Sequence, residues 1–534
     1  MKPLSHLIQR VLHLDPPLTR SVIHQRDLRI PMPDGTVLLT DRWVRRSGGD
    51  GLPVALLRSP YGRRGLIGAV QGRVLAERGF QTLIQSTRGT HGSGGMFDPM
   101  RQERDDGLAT LEWVIKQPWF GESIVLVGAS YLGYVQWAVA DQLPPEVKAM
   151  IPNNTESALT LEFLRPDGFS LETPFIWGVT NAVEKPAGMI GGLAGIRKKQ
   201  RALETLPLNR ADIAATGQSV GYIQDILRHE ADSPRWDGLD HSHRVPNVTV
   251  PVSSVGGWFD LFLPGQLRDF RALQASSPHP RLTIGPWTHV TSDATPIREA
   301  LTFGLALARG QRPPERASVH LYVMGQEAWR EFETWPPSGY APQRFHLRPG
   351  GALSVDLPDE SEPDRYRYDP NNPTPAVGGV RANGGGRKDN TKLEARSDVL
   401  TYTTTVLDQD VEVVGEVSAE IWFRSSLPFA DVFVRLCDVD GSGRSVNVCD
   451  GLTTLTNADE LARATVRLWP TAYQFRRGHR IRVQVSSGAF PRYARNPGTG
   501  EPHASATRLR AAEQEVHHDP NHPSAIVLPV AQHQ

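Results

Sequence analysis

The sequence predicts two folding units of different class: an α/β unit on a largely parallel sheet, split by a helical insert, and then an all-β unit. Three observations carry this. Over the first 155 residues or so, short apolar runs alternate with segments of helical period, as strands joined by crossover helices do. The alternation stops after Asn154 and resumes near Val248. From Ala317 onward, short alternating strands separated by Gly, Pro, Asn and Asp turns take over, which reads as a β-sandwich. The expected divisions are 1–154 and 246–315 for the two parts of the α/β core, 155–245 for a helical cap, and 316–534 for the β domain.

Each element has its own signal. Residues 54–58, 82–85, 124–127 and 149–152 are strand-like apolar runs. Leu108, Leu111 and Ile115 recur at helical spacing, with Glu103, Asp105 and Asp106 near the helix start, where the dipole favours acids. In the insert, Phe163, Phe169, Phe175 and Trp177 read mostly as cap core, with an acyl-pocket lining as the alternative. The run Arg197-Lys198-Lys199 reads as a solvated helix face. Two more buried strands, 250–255 and 282–284, run into the turns Gly256-Gly257-Trp258-Phe259-Asp260 and Gly285-Pro286-Trp287-Thr288-His289. The β domain is expected to hold strands at 319–323, 411–414, 418–423, 432–436 and 481–485. The loop 371–389 reads as too polar and glycine-rich to pack.

Composition bounds the function. The 534 residues carry 39% apolar and 22% charged side chains, enough for two to four folding units with real cores. Lys plus Arg equals Asp plus Glu at 58 each, so no basic excess attracts nucleic acid or an acidic membrane. The first ten residues lack the apolar core of a signal peptide, no stretch has the ~20 apolar residues that span a bilayer, and a cytoplasmic location is the expectation. The two cysteines, Cys437 and Cys449, provide no disulfide framework and read as buried thiols.

The chemistry begins at Gly128-Ala129-Ser130-Tyr131-Leu132-Gly133, which follows an apolar run and precedes a helix-compatible stretch. Strand, sharp turn, serine and helix form the context of a nucleophile elbow, although the second glycine comes one residue later than in G-x-S-x-G. Asp260 and His289 each stand just past a strand's C-terminal end, where catalytic groups collect in open α/β sheets. The order Ser130, Asp260, His289 is that of α/β-hydrolases. It assigns Ser130 as nucleophile, His289 as base and then acid, and Asp260 as the group that sets the imidazole tautomer.

With these residues the chain resembles the cocaine-esterase / X-prolyl dipeptidyl-peptidase family of serine hydrolases. Further matches include the hairpin around Pro33-Asp34-Gly35, Arg58-Ser59-Pro60-Tyr61, Thr87-Arg88-Gly89, Gln117-Pro118-Trp119, Gly257-Trp258-Phe259-Asp260 and Gly285-Pro286-Trp287-Thr288-His289. The displaced glycine is that family's own pattern, whereas Ser86 stands where relatives often have aspartate. The resemblance implies an α/β-hydrolase core with a jelly-roll-like C-terminal domain. It also implies an oxyanion hole from the Tyr61 hydroxyl and the Tyr131 backbone N–H, with Trp177, Trp258, Phe259 and Trp287 as candidates for the substrate pocket.

Other motifs are set aside. The glycines of residues 88–95 lack a P-loop's Gly-Lys-Ser/Thr ending, and residues 438–444 lack a calcium loop's distal glutamate and suit a hairpin turn. His517, His518 and His522 read as surface or interdomain contacts, and neither metal nor cofactor is expected. The expected partner is a small ester or amide substrate, with the β domain offering surface for self-association. Leu261 follows Asp260, so no second carboxylate adjoins it. Glu156, Glu162 and Glu172 of the cap are the acids that could hold a substrate amine, though cap glutamates usually face water. The reading leans to a carboxylesterase for uncharged acyl groups. The alternatives are an X-prolyl dipeptidyl-peptidase or amide acylase and, from a different class, a non-catalytic ligand-binding protein.

Overall fold

The computed structural model describes residues 2–158, 168–181, 195, 198–230, 233–381 and 383–532. Glu162, Phe163 and Arg197 lie outside the described residues.

The first sheet has ten strands: β1 (Val22–Pro31), β2 (Val37–Arg45), β3 (Val54–Ser59), β4 (Gln81–Ser86), β5 (Ile124–Ala129), β6 (Val147–Asn153), β7 (Ser253–Phe259), β8 (Arg281–Thr288), β9 (Val319–Val323) and β10 (Ala328–Phe332). Their order is β1-β2-β4-β3-β5-β6-β7-β8-β9-β10. From β4 to β9 every pairing is parallel, and the strands at either end are antiparallel. β3, β4 and β7 are buried along their whole length, and their long polar side chains are satisfied there, Arg58 donating to Gln85 at 2.8 Å and Arg42 to Gln81 at 2.9 Å. Helices α1 (Glu103–Ile115) and α2 (Tyr131–Trp137) form two of the crossovers.

Two expectations about these strands need correction. β7 and β8 continue through Gly256-Gly257-Trp258-Phe259 and Gly285-Pro286-Trp287-Thr288, which had read as turns. A register shift between Gly257 and Phe259 absorbs the irregular residues, since a bulge tolerates glycine and proline inside a strand. Residues 319–323, expected in the β domain, pair in parallel with β8 as β9 (Leu282↔Val319), and β9 with β10 completes the first sheet. Alternation marks a half-buried strand but cannot say which sheet it joins.

The cap contributes α3 (Glu172–Asn181) and α4 (Gly221–Arg228) with shorter helical turns, and α5 (Leu263–Ser276) follows β7. Leu171, Phe175, Val179, Leu203, Leu208 and Ile223 form the cap's own small core together with Ala494 from the C-terminal domain. Phe169 stacks on His503 with centroids 5.3 Å apart, and the Leu171 N–H donates to the Arg492 carbonyl at 2.8 Å, so the cap leans on the β domain as well as on the catalytic sheet.

The C-terminal sheet contains β11 (Tyr340–Arg348), β12 (Ala352–Ser354), β13 (Asp364–Tyr368), β14 (Leu400–Thr403), β15 (Val411–Ser425), β16 (Ala430–Val439), β17 (Ser445–Leu455), β18 (Ala462–Phe475), β19 (Arg480–Ser486), β20 (Ala512–His517) and β21 (Ala525–Ala531). Its order is β13-β20-β15-β21-β11-β12-β14-β19-β16-β17, with β18 on the other edge of β15. The pairings are antiparallel except β12 with β14. The two runs 411–414 and 418–423 are one bulged strand, β15.

The loop 371–389 packs, contrary to its composition. Buried Arg435 donates to the Val377 carbonyl at 2.6 Å and Asn447 to the Gly386 carbonyl at 3.1 Å, so buried side chains satisfy a backbone that apolar residues could not. Residues 440–444 form the β16–β17 turn around the Asp440 carboxylate, and Cys437 and Cys449 are free and buried. One apolar cluster runs from Leu57 and Ile84 through Trp258 to Val434 and Val483, joining the two sheets in a continuous core.

Candidate active site

Parallel strands bring their C-terminal ends to one edge, and there four loops converge. Ser130 follows β5, Asp260 follows β7, His289 follows β8, and Tyr61 stands two residues past β3. Ser130 has φ 58° and ψ −125°, a strained conformation for a side-chain-bearing residue, held by its N–H bond to the Asn153 carbonyl at 2.9 Å. The displaced glycine has a steric reason. A Cβ on Gly128 would stand 2.4 Å from the Leu132 Cβ, so Leu132 fills the space above the first glycine. A Cβ on Gly133 would stand 2.3 Å from Thr155 Cγ2, so glycine there lets α2 approach the loop after β6.

His289 Nε2 lies 3.0 Å from Ser130 Oγ, and its Nδ1 lies 2.7 Å from Asp260 Oδ2. The His289 side chain is 15% exposed while Asp260 is fully buried, so the chain of groups opens to solvent only at its serine and histidine end. Asp260 Oδ1 accepts the Phe262 N–H at 2.8 Å, and the Asp260 carbonyl accepts the Trp469 indole N–H at 3.0 Å from the β domain. The Phe262 ring stands edge-on to the imidazole at 5.2 Å, and Asn154 Nδ2 donates to the His289 carbonyl at 3.3 Å.

Half-buried Tyr61 accepts the Trp177 indole N–H at 2.9 Å. Burial pushes its phenol above the ordinary value, against hydrogen bonds to Trp177 and Ser130, so the hydroxyl keeps its proton beside the serine. The Tyr131 N–H is the first of α2, with no acceptor within the helix. The Tyr131 ring is held from behind: its hydroxyl donates to Glu103 Oε1 at 2.7 Å and accepts the Met100 N–H at 2.8 Å. Glu103 stands in the first turn of α1, as expected, and is also buried and paired with Arg58 at 2.9 Å. Burial pushes its carboxyl up, opposed chiefly by Arg58. Arg63 pins the Tyr61 loop through Asp41 at 3.0 Å and Ser86 Oγ at 2.9 Å, so Asp41 on β2 supplies the anion beside Ser86.

The four candidates for the pocket separate. Trp177, on cap helix α3, stacks on Tyr131 with centroids 6.1 Å apart and packs near Tyr222 and Phe97, forming an aromatic wall beside the serine. Trp258 and Phe259 are each 2% exposed and belong to the core. The Trp258 indole donates to the Tyr322 carbonyl at 2.7 Å, leaving no surface for a substrate. Trp287 packs on Trp329 at 5.9 Å, its ring over Gly285. Sequence position placed these three next to catalytic loops, but they lie inside strands buried on both faces, and their rings pack into the core. Glu172 and Glu156 do not face water. Glu172 is buried in a paired contact with Arg381, both oxygens at 2.7 Å, and Glu156 is buried against Gly265 of α5. The sequence carried no signal for Phe97, Tyr222 or Trp469, which reach the site through long-range packing, and Phe262, two residues past Asp260, went unremarked.

Fold and cluster together define a hydrolase of the α/β type. A family model for the X-Pro dipeptidyl-peptidase (S15 family) matches residues 34–291, and one for the X-Pro dipeptidyl-peptidase C-terminal non-catalytic domain matches residues 315–527. Cocaine esterase of Rhodococcus sp. (strain MB1 Bresler) is 31% identical over 94% of this chain and 98% of its own length. The fold is also that of an alpha-amino acid ester hydrolase (TM-score 0.82, 20% identity) and of an aminopeptidase from a marine sediment Thaumarchaeota archaeon (TM-score 0.81, 21% identity). Each likeness covers 97% of this chain and 98% of the other. The chain therefore belongs to the cocaine-esterase / X-Pro dipeptidyl-peptidase family of serine hydrolases, and it is an enzyme that cleaves ester or amide bonds. Among the described residues no helix is long and apolar enough to cross a membrane.

Proposed function

We propose that this enzyme is a carboxylesterase for uncharged acyl groups and that it works through Ser130, His289 and Asp260. The carrying observation is the unbroken path from Ser130 Oγ to His289 Nε2 and from His289 Nδ1 to Asp260 Oδ2. Ser130 Oγ attacks the carbonyl carbon as His289 Nε2 takes its proton, and the imidazolium that forms is stabilised by Asp260. The oxyanion of the tetrahedral intermediate receives the Tyr131 N–H and the Tyr61 O–H. His289 then returns the proton to the departing alkoxide, leaving an acyl-serine. Water, deprotonated by the same imidazole, releases the acid and restores Ser130.

The acyl preference rests on what surrounds the serine. Trp177, Tyr222 and Phe97 offer an apolar wall, while the Glu172 carboxylate is already engaged by Arg381. An esterase reading also agrees with the cocaine esterase relative. The test is hydrolysis of 4-nitrophenyl acyl esters and of Xaa-Pro 4-nitroanilides by the wild type and by Ser130→Ala. Esters should turn over faster, and the variant should lose about 10⁴-fold or more in kcat. Faster cleavage of the Xaa-Pro anilides would establish the peptidase reading instead.

A further inference from the structure

The β20–β21 connection carries a side-chain cluster that the hydrolase does not use. Of the three histidines grouped in the sequence, His518 turns inward, with its ring nitrogens on Ser361 Oγ at 2.9 Å and Asp364 at 3.0 Å. His517, Asp519 and His522 instead converge, each offering a ligand atom within 4.8 Å of the others. His522 Nδ1 is already 3.0 Å from an Asp519 oxygen. His517 Nε2 is buried and makes no hydrogen bond, its nearest charged neighbour being Glu515 at 3.6 Å. Glu515 is itself engaged by Arg365 at 3.0 Å and Arg424 at 2.7 Å, so it serves as a nearby negative charge more than as a free donor.

The loop that presents these groups is internally braced. Asp519 Oδ1 accepts the Asn521 N–H at 2.8 Å, Ser524 Oγ donates to the His517 carbonyl at 2.6 Å, and the Trp422 N–H donates back to Ser524 Oγ at 2.8 Å. The backbone is thus fixed before any ligand arrives, and only side-chain rotation is needed. Zinc bonds of about 2.0–2.1 Å place tetrahedral donors roughly 3.3 Å apart, so the His517 ring must swing inward by an ångström or so.

We propose that His517, Asp519 and His522 bind a divalent first-row transition cation, with Zn²⁺ as the reference ion and water completing the shell. Two imidazoles and one carboxylate favour Zn²⁺, Ni²⁺ or Cu²⁺ over Mg²⁺ and Ca²⁺, which prefer all-oxygen shells. The cation would clip the end of β20 to the loop that leads into β21, remote in role from the hydrolytic centre.

The test is calorimetric titration of the tag-free full-length chain with Zn²⁺, with Mg²⁺ as control, and of His522→Ala, whose target is partly exposed and outside the hydrolytic machinery. One saturable Zn²⁺ per chain is expected, weakened at least about tenfold in His522→Ala, as losing a ligand costs no less than losing an outer-shell partner. Ester hydrolysis should stay at the wild-type level in that variant. A second readout needs no ligand variant: Cu²⁺ should quench Trp422, whose ring lies 5.0 Å from that of His522, and the quenched fraction should drop in Trp422→Phe. No Zn²⁺ uptake by the wild type, unchanged affinity in His522→Ala, or Cu²⁺ binding that spares Trp422 would each overturn the proposal.

Discussion

Two fully buried aspartates, one beside each sheet, show how the same side chain is put to opposite uses. Asp260, past the end of β7, faces a neutral-capable imidazole and one backbone N–H, and it connects through His289 to a serine open to solvent. Asp450, in the middle of β17, is enclosed by two guanidiniums, Arg435 at 2.8 Å and Arg492. Burial pushes the Asp450 carboxyl up, but the two arginines overcome that and hold it below its ordinary value. Asp450 is a brace whose charge is spent within the fold. The first sheet leaves its aspartate a partner that can change protonation state, and that difference separates a site from a core.

The comparison can be broken at either end. The largest effect is expected at the first sheet: Asp260→Asn should lower kcat by about 10⁴-fold with an unchanged melting curve, because it spoils the imidazole tautomer and leaves the geometry intact. Steady-state kinetics beside a thermal melt checks both halves. Asp450→Asn should do the reverse, costing about 3–5 kcal/mol in urea unfolding as it leaves two buried guanidiniums under-compensated. Its kcat per folded molecule should fall far less than in Asp260→Asn; comparable losses would erase the distinction. Tyr61→Phe keeps the ring and the Trp177 packing but deletes the donor, so kcat should fall about 10²–10³-fold on the same ester.

The smallest effect sharpens the contrast within the β domain. Asp431 is buried with Asn496 and Thr454 donating to it at 2.9 and 2.8 Å and, among the described residues, no arginine paired to it, and burial raises its pKa to about 6. The folded state then holds this proton more tightly than the unfolded chain, so the contribution is full below about pH 4. It is lost as pH rises through about 6 and stays lost above. Asp431→Asn should therefore flatten the melting temperature between about pH 4 and 6 relative to the wild type. An unchanged profile would assign that region's pH dependence elsewhere.

Much of the site was legible because parallel strands impose a rule: a residue just after an apolar run stands at the catalytic edge. Ser130, Asp260, His289 and Tyr61 obey it, and the structure brings their polar atoms together. The same rule misled for Trp258, Phe259 and Trp287, which lie inside strands that continue past their glycines. Nothing local foretold that Glu103 and Glu172 are buried, because their arginine partners, Arg58 and Arg381, are 45 and 209 residues away. Local pattern holds no record of such distant pairing.

By itself the sequence determined the class of each half, the strand–turn–helix around Ser130 and the chain order of Ser130, Asp260 and His289, since strand and turn preferences act over a few residues. Only the tertiary structure decided which sheet owns residues 319–323, which aromatic rings face the serine, how the glycine-rich loop is satisfied, and that Asp519 rather than His518 joins His517 and His522. These outcomes depend on which surfaces are buried against each other, and burial is a property of the whole chain.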